Sequence, residues 1–411
     1  MKVLKVDQYF YHLRKHSSAG KIAHKLTEFL SKYGVKVDLL TTDCDSQIKI
    51  DNCLKIYNFG TFKTYVFHVP RFFDALHLCL PLCCNKLKEV VSGYDLIHIH
   101  EYLSPINLLV INIAIKHRIP FIIQPHGAII YPYVEKNVNL IYKITRITLD
   151  RLIGFKILDK VKAIFTMARV EEELLRSLGI HLKFIRIPNA IDPEEYEEFD
   201  AKISYGHFRK YLSIRDDEFL ILYIGRKAPV KRLDLLITSI HRLRQKYDIA
   251  RPVKLVIVGP SGSKYEERLK KLVKDLNLEN HVIIHGPIYG SLKASAFKDA
   301  NLFALVSKYE TFPTVLLEAF FYRTPILATR VGIVAEEEIS DKVIPLNPDP
   351  TPDEIAKKLY EIIEGKHDLK SLTEKAYRFL WENLTYEKVV PHIIRIYETI
   401  QNKNQELYDN L

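Results

Sequence analysis

The sequence predicts an α/β protein built from two doubly wound, Rossmann-like parallel-sheet domains. Short β-branched runs alternate with helical patterns along the whole chain. The strand runs are apolar almost throughout, and the series occurs twice, once on each side of an acidic segment. Strand–helix alternation gives parallel sheets with crossover helices, and strands covered on both faces read as continuous apolar runs. With 411 residues and 47% hydrophobic content, the chain is long enough for two cores.

In the first half the strand runs are KVLKV (2–6), VKVDLL (35–40), DLIHIH (95–100), PFIIQ (120–124), KAIFT (162–166) and KFIRI (183–187). Between the first two, Ala19, Ile22, Ala23, Leu26, Phe29 and Leu30 recur at helical spacing, and Gly34 ends that helix. The second half repeats the scheme with FLILYIG (219–225), VKLVIVG (253–259), HVIIHG (281–286), NLFALV (301–306), PILAT (325–329) and KVIPL (342–346). Its helices are expected near 232–247, 264–277, 290–299, 314–323 and 352–364. The segment DPEEYEEFD (192–200) reads as a linker. The expected domains are 1–190 and 191–384. A last helical pattern follows in 385–411, opened by Thr385 as N-cap and packing back toward the first domain. Doubly wound sheets bind ligands at the carboxyl ends of their strands, so two facing sheets predict a cleft between the domains.

Charge narrows the function. Residues 1–200 carry 27 − 22 = +5 and residues 201–411 carry 33 − 28 = +5, so the total of +10 is evenly spread. An unsegregated charge argues against a dedicated nucleic-acid surface and suits small anions or an anionic membrane. The five cysteines, at 44, 53, 79, 83 and 84, contain no CxxC pair and signal neither a zinc ribbon nor a disulfide framework. His77 with Cys79, Cys83 and Cys84 lies in apolar LHLCLPLCC, where core packing is favoured over metal ligation. Free thiols imply a reducing, cytoplasmic compartment. The opening MKVLKVDQYF has charges inside its apolar stretch, unlike a secretory leader. The longest apolar run, Ile106 to Ile115, holds two Asn and is too short to span a bilayer.

Chemistry concentrates in SKYETFPTVLLEAFFYRTP (307–325). Pro313 suits a helix start, where its missing N–H costs nothing, and Val315, Leu316, Ala319 and Phe320 supply a buried face. Glu310 then sits in the loop feeding the helix and Glu318 more than a turn inside it. Free N–H groups near Pro313 to Val315 would form an anion site with a carboxylate alongside. A carboxylate beside a phosphate site accepts hydrogen bonds from sugar hydroxyls or stabilises positive charge at a sugar carbon. The bland alternative makes both glutamates solvated charges of an amphipathic helix. A second segment, GRKAPVKRLDLLI (225–237), leaves a strand, turns and enters a helix, so Arg226 and Lys231 bracket a loop at a sheet's carboxyl edge. A rigid fork and a compact charge together can neutralise a diphosphate. No Walker-type glycine loop is present.

On these residues the chain resembles the retaining glycosyltransferases of GT-B architecture, glycosyltransferase family 4 (glycosyl transferase group 1). ETFPTVLLEA is similar to the family's two glutamates seven residues apart, matched by Glu310 and Glu318. GRKAPVKRLDLLI, IPNAIDPEEY (187–196) and VIVGPSG (256–262) resemble further family segments. In the first half SAGKIAHKLTEFLSKYGVKVDLLTT (18–42), YDLIHIH (94–100) and QPHGAI (124–129) do so more loosely. The resemblance implies a hexosyl transfer from a UDP-, GDP- or ADP-linked sugar to a glycan or lipid-linked acceptor. Arg226 and Lys231 would hold the diphosphate, Glu318 the ribose, and Glu310 the transferred sugar. Thr311, Phe312, Pro313, Thr314 and Val315 would line the sugar and phosphate pocket. Gly225 and Gly259 end strands at that edge. Gly20 in the first loop would approach the diphosphate, His126 would face the sugar, and Gly286 would pass beside the base.

No essential metal or other cofactor is expected, since Arg, Lys and a helix start can replace one; DCD (43–45) reads as a solvated loop. The chain departs from the family at Ala19-Gly20, at Gly332-Ile333 and Ala335-Glu336, and at Arg323, where glycine is common. These departures raise an alternative, a catalytically degenerate nucleotide-sugar-binding subunit. Basic and aromatic residues interleave in 57–88 and 139–156, which read either as peripheral contacts with the inner membrane face or as helices packed on the first sheet.

Overall fold

A computed structural model of the protein describes residues 1–10, 18–44, 50, 52–72, 80–127, 129, 133, 140–260 and 264–402. They form two compact units: Met1–Ala190 with the chain from Tyr386 onward, and Ile191–Thr385.

The first unit holds an eight-stranded sheet of β1 (Lys2–Tyr9), β2 (Lys36–Thr42), β3 (Leu54–Asn58), β4 (Lys63–Phe67), β5 (Leu96–His100), β6 (Phe121–Gln124), β7 (Ala163–Thr166) and β8 (Phe184–Arg186), in the order β3-β4-β2-β1-β5-β6-β7-β8. All neighbours pair in parallel except β3 and β4. On one face the helix Ser18–Lys32 buries Leu26, Phe29 and Leu30 against Val3, Val37 and Leu96. The final helix, Tyr386–Asn402, adds Val389, Val390, Ile393, Ile396, Tyr397 and Ile400 to the same core. Tyr386 stacks on Phe29 with ring centroids 4.9 Å apart.

The second unit holds six parallel strands: β9 (Phe219–Ile224), β10 (Val253–Val258), β11 (Val282–His285), β12 (Leu302–Leu305), β13 (Ile326–Thr329) and β14 (Ile344–Leu346). Their order is β11-β10-β9-β12-β13-β14. The chain fills one side of β9, then returns to the other side with β12. That reversal opens a crevice between the loops leaving β9 and β12, the point where such sheets take ligands.

Several expectations need correction. The strand Leu54–Asn58 and its partner Lys63–Phe67 form an antiparallel hairpin at the sheet edge, so 57–67 is not a packed helix. The supposed linker is the helix Pro193–Asp200, whose Tyr196 is buried within the second unit. Cys53 and Cys83 form a disulfide, and Cys44 is disulfide-bonded too, against the expectation of free thiols. Residues 30 apart in sequence reach one another, with Cα atoms 6.1 Å apart, only through the hairpin fold. Asp43 is no solvated loop residue: it is buried and accepts the N–H groups of Ile50 and Val69. His77, Cys79 and Asp45 lie outside the described residues. No described helix is long and apolar enough to cross a membrane.

Ile393 is fully buried in the core shared by the final helix and the first sheet. Its replacement by alanine is expected to cost the first unit about 2–5 kcal/mol, read as a lowered denaturant midpoint.

Candidate active site

Four cations stand within seven residues of the loop after β9, and the structure gives them different work. Lys227 is buried, and its ammonium donates to the carbonyls of Gly259 at 2.6 Å and His285 at 2.7 Å. It thereby ties together the carboxyl ends of β10 and β11. Arg232 adopts a left-handed backbone, φ 50°, at the start of the helix Leu233–Lys246. Its guanidinium donates to the carbonyls of Val306 and Ser307 at 2.8 and 2.9 Å, and to Asp349 at 2.7 Å. Lys231 donates to the Glu310 carboxylate, which also accepts from Ser307 Oγ at 2.7 Å. Arg226 is exposed, and among the described residues no carboxylate pairs with it.

The loops after β9 and β12 are therefore stitched together. Lys308 N–H donates to Val230 O at 2.8 Å, beside the Arg232 and Lys231 bonds. Glu310, only 9% exposed, is held in the loop that leads through Thr311 and buried Phe312 to the helix Thr314–Phe321. Pro313 is the N-cap of that helix rather than its first residue, and no side chain caps it. A helix start without a side-chain cap, in the loop that carries Glu310, suits an anion. Val315 is half-buried at this mouth rather than in the core, while Leu316 through Phe321 are buried all round. Burial, then the Glu310 charge, holds the Tyr223 phenol well above its ordinary range. It remains a neutral donor to Arg226 O at 3.0 Å.

Glu318 lies in the buried helix body, only 6% exposed. Lys293 approaches both of its carboxylate oxygens, at 2.7 and 2.6 Å, and Tyr196 OH donates to it at 3.0 Å. Each glutamate thus has its own lysine, and no described contact joins the two. Ser307, Lys293, Tyr196 and Lys227 escaped sequence reasoning, because long-range pairing leaves no local pattern.

Glycines shape the edge. A Cβ on Gly259 would lie 1.9 Å from Gly225 O, so glycine is required there, and a Cβ on Gly225 would meet the Tyr223 hydroxyl at 2.7 Å. Gly286 is exposed beside open space. Gly332, φ +57°, sits under the Glu310 loop, where a Cβ would come 2.2 Å from Glu310 O and 2.5 Å from Thr311 O.

In the first unit His126 follows β6 with a left-handed backbone, φ 50°, uncommon outside glycine and concentrated at functional loops. Its Nε2 lies 2.8 Å from His100 Nδ1, and His98 Nδ1 lies 2.6 Å from Tyr397 OH. Burial, then buried Lys5, pushes the His126 imidazole down to about 3. The same causes hold His98 and His100 well below their ordinary range. Glu171 accepts the Gly127 N–H at 2.9 Å and the Met167 N–H at 2.8 Å, which fixes the His126 turn. Gly20 is not in a loop: it stands in the first turn of the helix Ser18–Lys32. Among the described residues no three His, Cys, Asp or Glu side chains are grouped to hold a metal.

Gly332→Ala is expected to destabilise the second unit by more than about 1 kcal/mol and to weaken anion binding. Gly365→Ala, with a similar φ of +72° but nothing within 4 Å, isolates the cost of the backbone angle alone; calorimetry on both separates strain from collision. The histidine row gives a pH test. Groups held neutral when folded take up protons on unfolding, so the first unit loses stability as pH falls below about 6.5. His98→Gln is expected to shrink that slope in denaturation curves at stepped pH.

Comparison with known proteins follows the same division. Residues 19–195 match the description Glycosyltransferase Family 4, and residues 206–379 match Glycosyl transferases group 1. An uncharacterized glycosyltransferase of Methanocaldococcus jannaschii is 24% identical over 384 residues, 91% of this chain and 92% of its own. The D-inositol 3-phosphate glycosyltransferase of Stackebrandtia nassauensis is 29% identical over 246 residues, 58% of this chain and 53% of its own. Sucrose-phosphate synthase from Thermosynechococcus elongatus shares the fold with a TM-score of 0.76 at 18% identity, covering 98% of this chain and all (100%) of that one. Anabaena HepE in complex with UDP-glucose does so with a TM-score of 0.70 at 16% identity, covering 97% and 100%. With both halves matched in order and the fold shared, the chain belongs to the GT-B glycosyltransferases of family 4.

Proposed function

We propose that the protein transfers a hexose, with retention at the anomeric carbon, from a nucleoside-diphosphate sugar to a glycan or lipid-linked acceptor. The observation that carries this reading is the pairing of Lys231 with Glu310 beside partnerless Arg226 and an uncapped helix start, all at the reversal point of one sheet. Two cations and free N–H groups suit a diphosphate, and a carboxylate among them suits the sugar attached to it. HepE, solved with UDP-glucose, supports a donor of that class.

In the proposed reaction the bond from the anomeric carbon to the diphosphate oxygen breaks, and the bonding pair leaves with that oxygen. The acceptor hydroxyl oxygen then bonds to the same carbon, on the face the diphosphate leaves, and its proton passes to the departing diphosphate oxygen. Arg226 and Lys231 stabilise charge growing on the departing diphosphate, which lowers the barrier because the field is already in place. This supply of charge is why the proposal includes no essential metal. Glu310 orients the sugar and Glu318 takes the ribose hydroxyls. Thr311 through Val315 line the pocket, with Gly225, Gly259 and Gly286 leaving room at the strand ends. To His126 and Gly20 the family pattern assigns contacts with the sugar and the diphosphate. A neutral His126 serves there as a hydrogen-bonding group, not as a proton donor.

The degenerate-subunit reading is not favoured. Arg323, where the family has glycine, takes the left-handed φ of 52° that a glycine would take, and its guanidinium rests 3.5 Å from the Tyr377 ring. That departure leaves the site intact.

A thermal-shift screen of UDP-, GDP- and ADP-hexoses identifies the donor, since a ligand that binds only the native state raises its stability. NMR of the product then reads its anomeric configuration. Arg226→Ala is the decisive variant, because an exposed, partnerless side chain is not needed for folding. It is expected to lose about 100-fold or more in kcat, as are Glu310→Gln and Lys231→Ala. Full activity in Arg226→Ala removes the assignment.

A further inference from the structure

The helical segment from Leu140 to Leu158 in the first unit exposes aliphatic side chains together with basic ones. It runs as an α-helix to Leu149, through a π turn at Asp150–Gly154, and on to Leu158. One acidic residue of the segment, Asp150, faces inward. Asp150 is fully buried and accepts from Arg146 Nε at 3.3 Å and Tyr133 OH at 3.1 Å. Gly154 lies flat on Tyr102, whose hydroxyl would be 1.9 Å from an added Cβ, and Leu158 is buried. The outward side carries Leu140, Ile144, Leu149, Leu152 and Ile153, of which Leu140, Ile144 and Leu152 are 69%, 57% and 60% exposed. Five of the seven exposed large aliphatic side chains among the described residues, Ile56 and Leu82 being the others, stand on this one helix. Exposed aliphatic side chains gathered on one helix in this way mark an interaction surface.

Charge selects the occupant. Arg151, Lys156 and Lys160 are exposed and Lys143 is half-buried along the same segment, and no described carboxylate pairs with any of them. Of the two acids in 140–160, Asp150 is buried with Arg146 and only Asp159 is exposed. Aliphatics flanked by unpaired cations match a bilayer whose surface bears anionic headgroups: the side chains enter the acyl boundary while the cations meet phosphate.

We propose that this face docks the first unit on an anionic membrane. The inward anchors, Asp150, Gly154 and Leu158, hold the helix in the fold so that its aliphatic side is presented without unfolding. Among the acceptors proposed above, docking favours the lipid-linked kind. That step alone rests on the transferase reading, and attachment itself does not.

The test is flotation of the full chain with vesicles of phosphatidylglycerol and phosphatidylcholine, against pure phosphatidylcholine, without donor or acceptor. Binding is expected to the anionic vesicles and to weaken as salt rises. Ile144→Ser combined with Leu152→Ser and Ile153→Ser is expected to weaken it at least tenfold, with the unfolding midpoint unchanged or raised. Arg151→Glu with Lys156→Glu, which leaves the apolar face whole, is expected to remove the preference for anionic vesicles. No flotation of the unaltered chain at low salt overturns the proposal, as does equal flotation of the serine variant. So does light scattering that shows the serine changes converting a dimer to a monomer while flotation stays the same, because the face then belongs to a second copy. Vesicle binding with no glycosyl transfer, or transfer with no binding, tells the failure of one reading from the failure of the other.

Discussion

The second unit depends on a single ion pair placed at a topological reversal. The loops after β9 and β12 are far apart in sequence, and they meet because β12 returns to the opposite side of β9 from β10. Lys231 and Glu310 close that meeting. A carboxylate this buried needs a partner, since an isolated ionised group inside a protein is strongly disfavoured. The ammonium and the Ser307 hydroxyl meet the need on one oxygen. The pair therefore secures the loop geometry before any donor arrives, which is what preorganised electrostatic stabilisation requires.

Around this pair the remaining cations are sorted by what they can reach. Lys227 and Arg232 direct their donors to backbone carbonyls at strand ends and to the carboxylates of Glu266 and Asp349. Arg226 reaches neither. In the linear sequence the four are indistinguishable, because one loop holds them all and each is a plausible phosphate ligand. Arg226 and Lys231 are singled out because they bracket the loop; that Lys227 and Arg232 bind backbone carbonyls is visible only in three dimensions. Glu310 in a loop and Glu318 in a helix were legible, since Pro313 and the apolar run mark the helix start. The lysine that holds Glu318 was not, because Lys293 comes from a different helix.

The same contrast runs through the first unit. The six strands read from the first half of the sequence are all present, because continuous apolar runs leave few alternatives. The edge hairpin was missed because its strands mix charge with aromatics, the pattern of an exposed edge rather than a buried strand. Lys5 and Asp7 look like surface residues in the sequence, yet both are fully buried in β1. Lys5 pairs in register with His98, and His98 stacks on His100 with centroids 4.6 Å apart. Charge this deep in a central strand contradicts every local rule of strand composition. Such local conflicts concentrate at functional sites, and this one stands next to His126.

Arg323 shows how a degraded motif retains its geometry. The position ends the helix that carries Glu318, and the chain there must turn through a left-handed residue, which explains why glycine is usual. An L side chain at such an angle costs about 1–2 kcal/mol. The guanidinium over Tyr377 returns about 0.5–1 kcal/mol at an exposed site, and its bond to Glu374 at 3.2 Å adds little, since both partners are half exposed. The substitution is thus partly offset within the second unit itself, by a helix, Leu369–Asn383, that lies outside the motif. A motif can therefore lose its glycine while the backbone it specified remains, because the required quantity is the angle and not the residue.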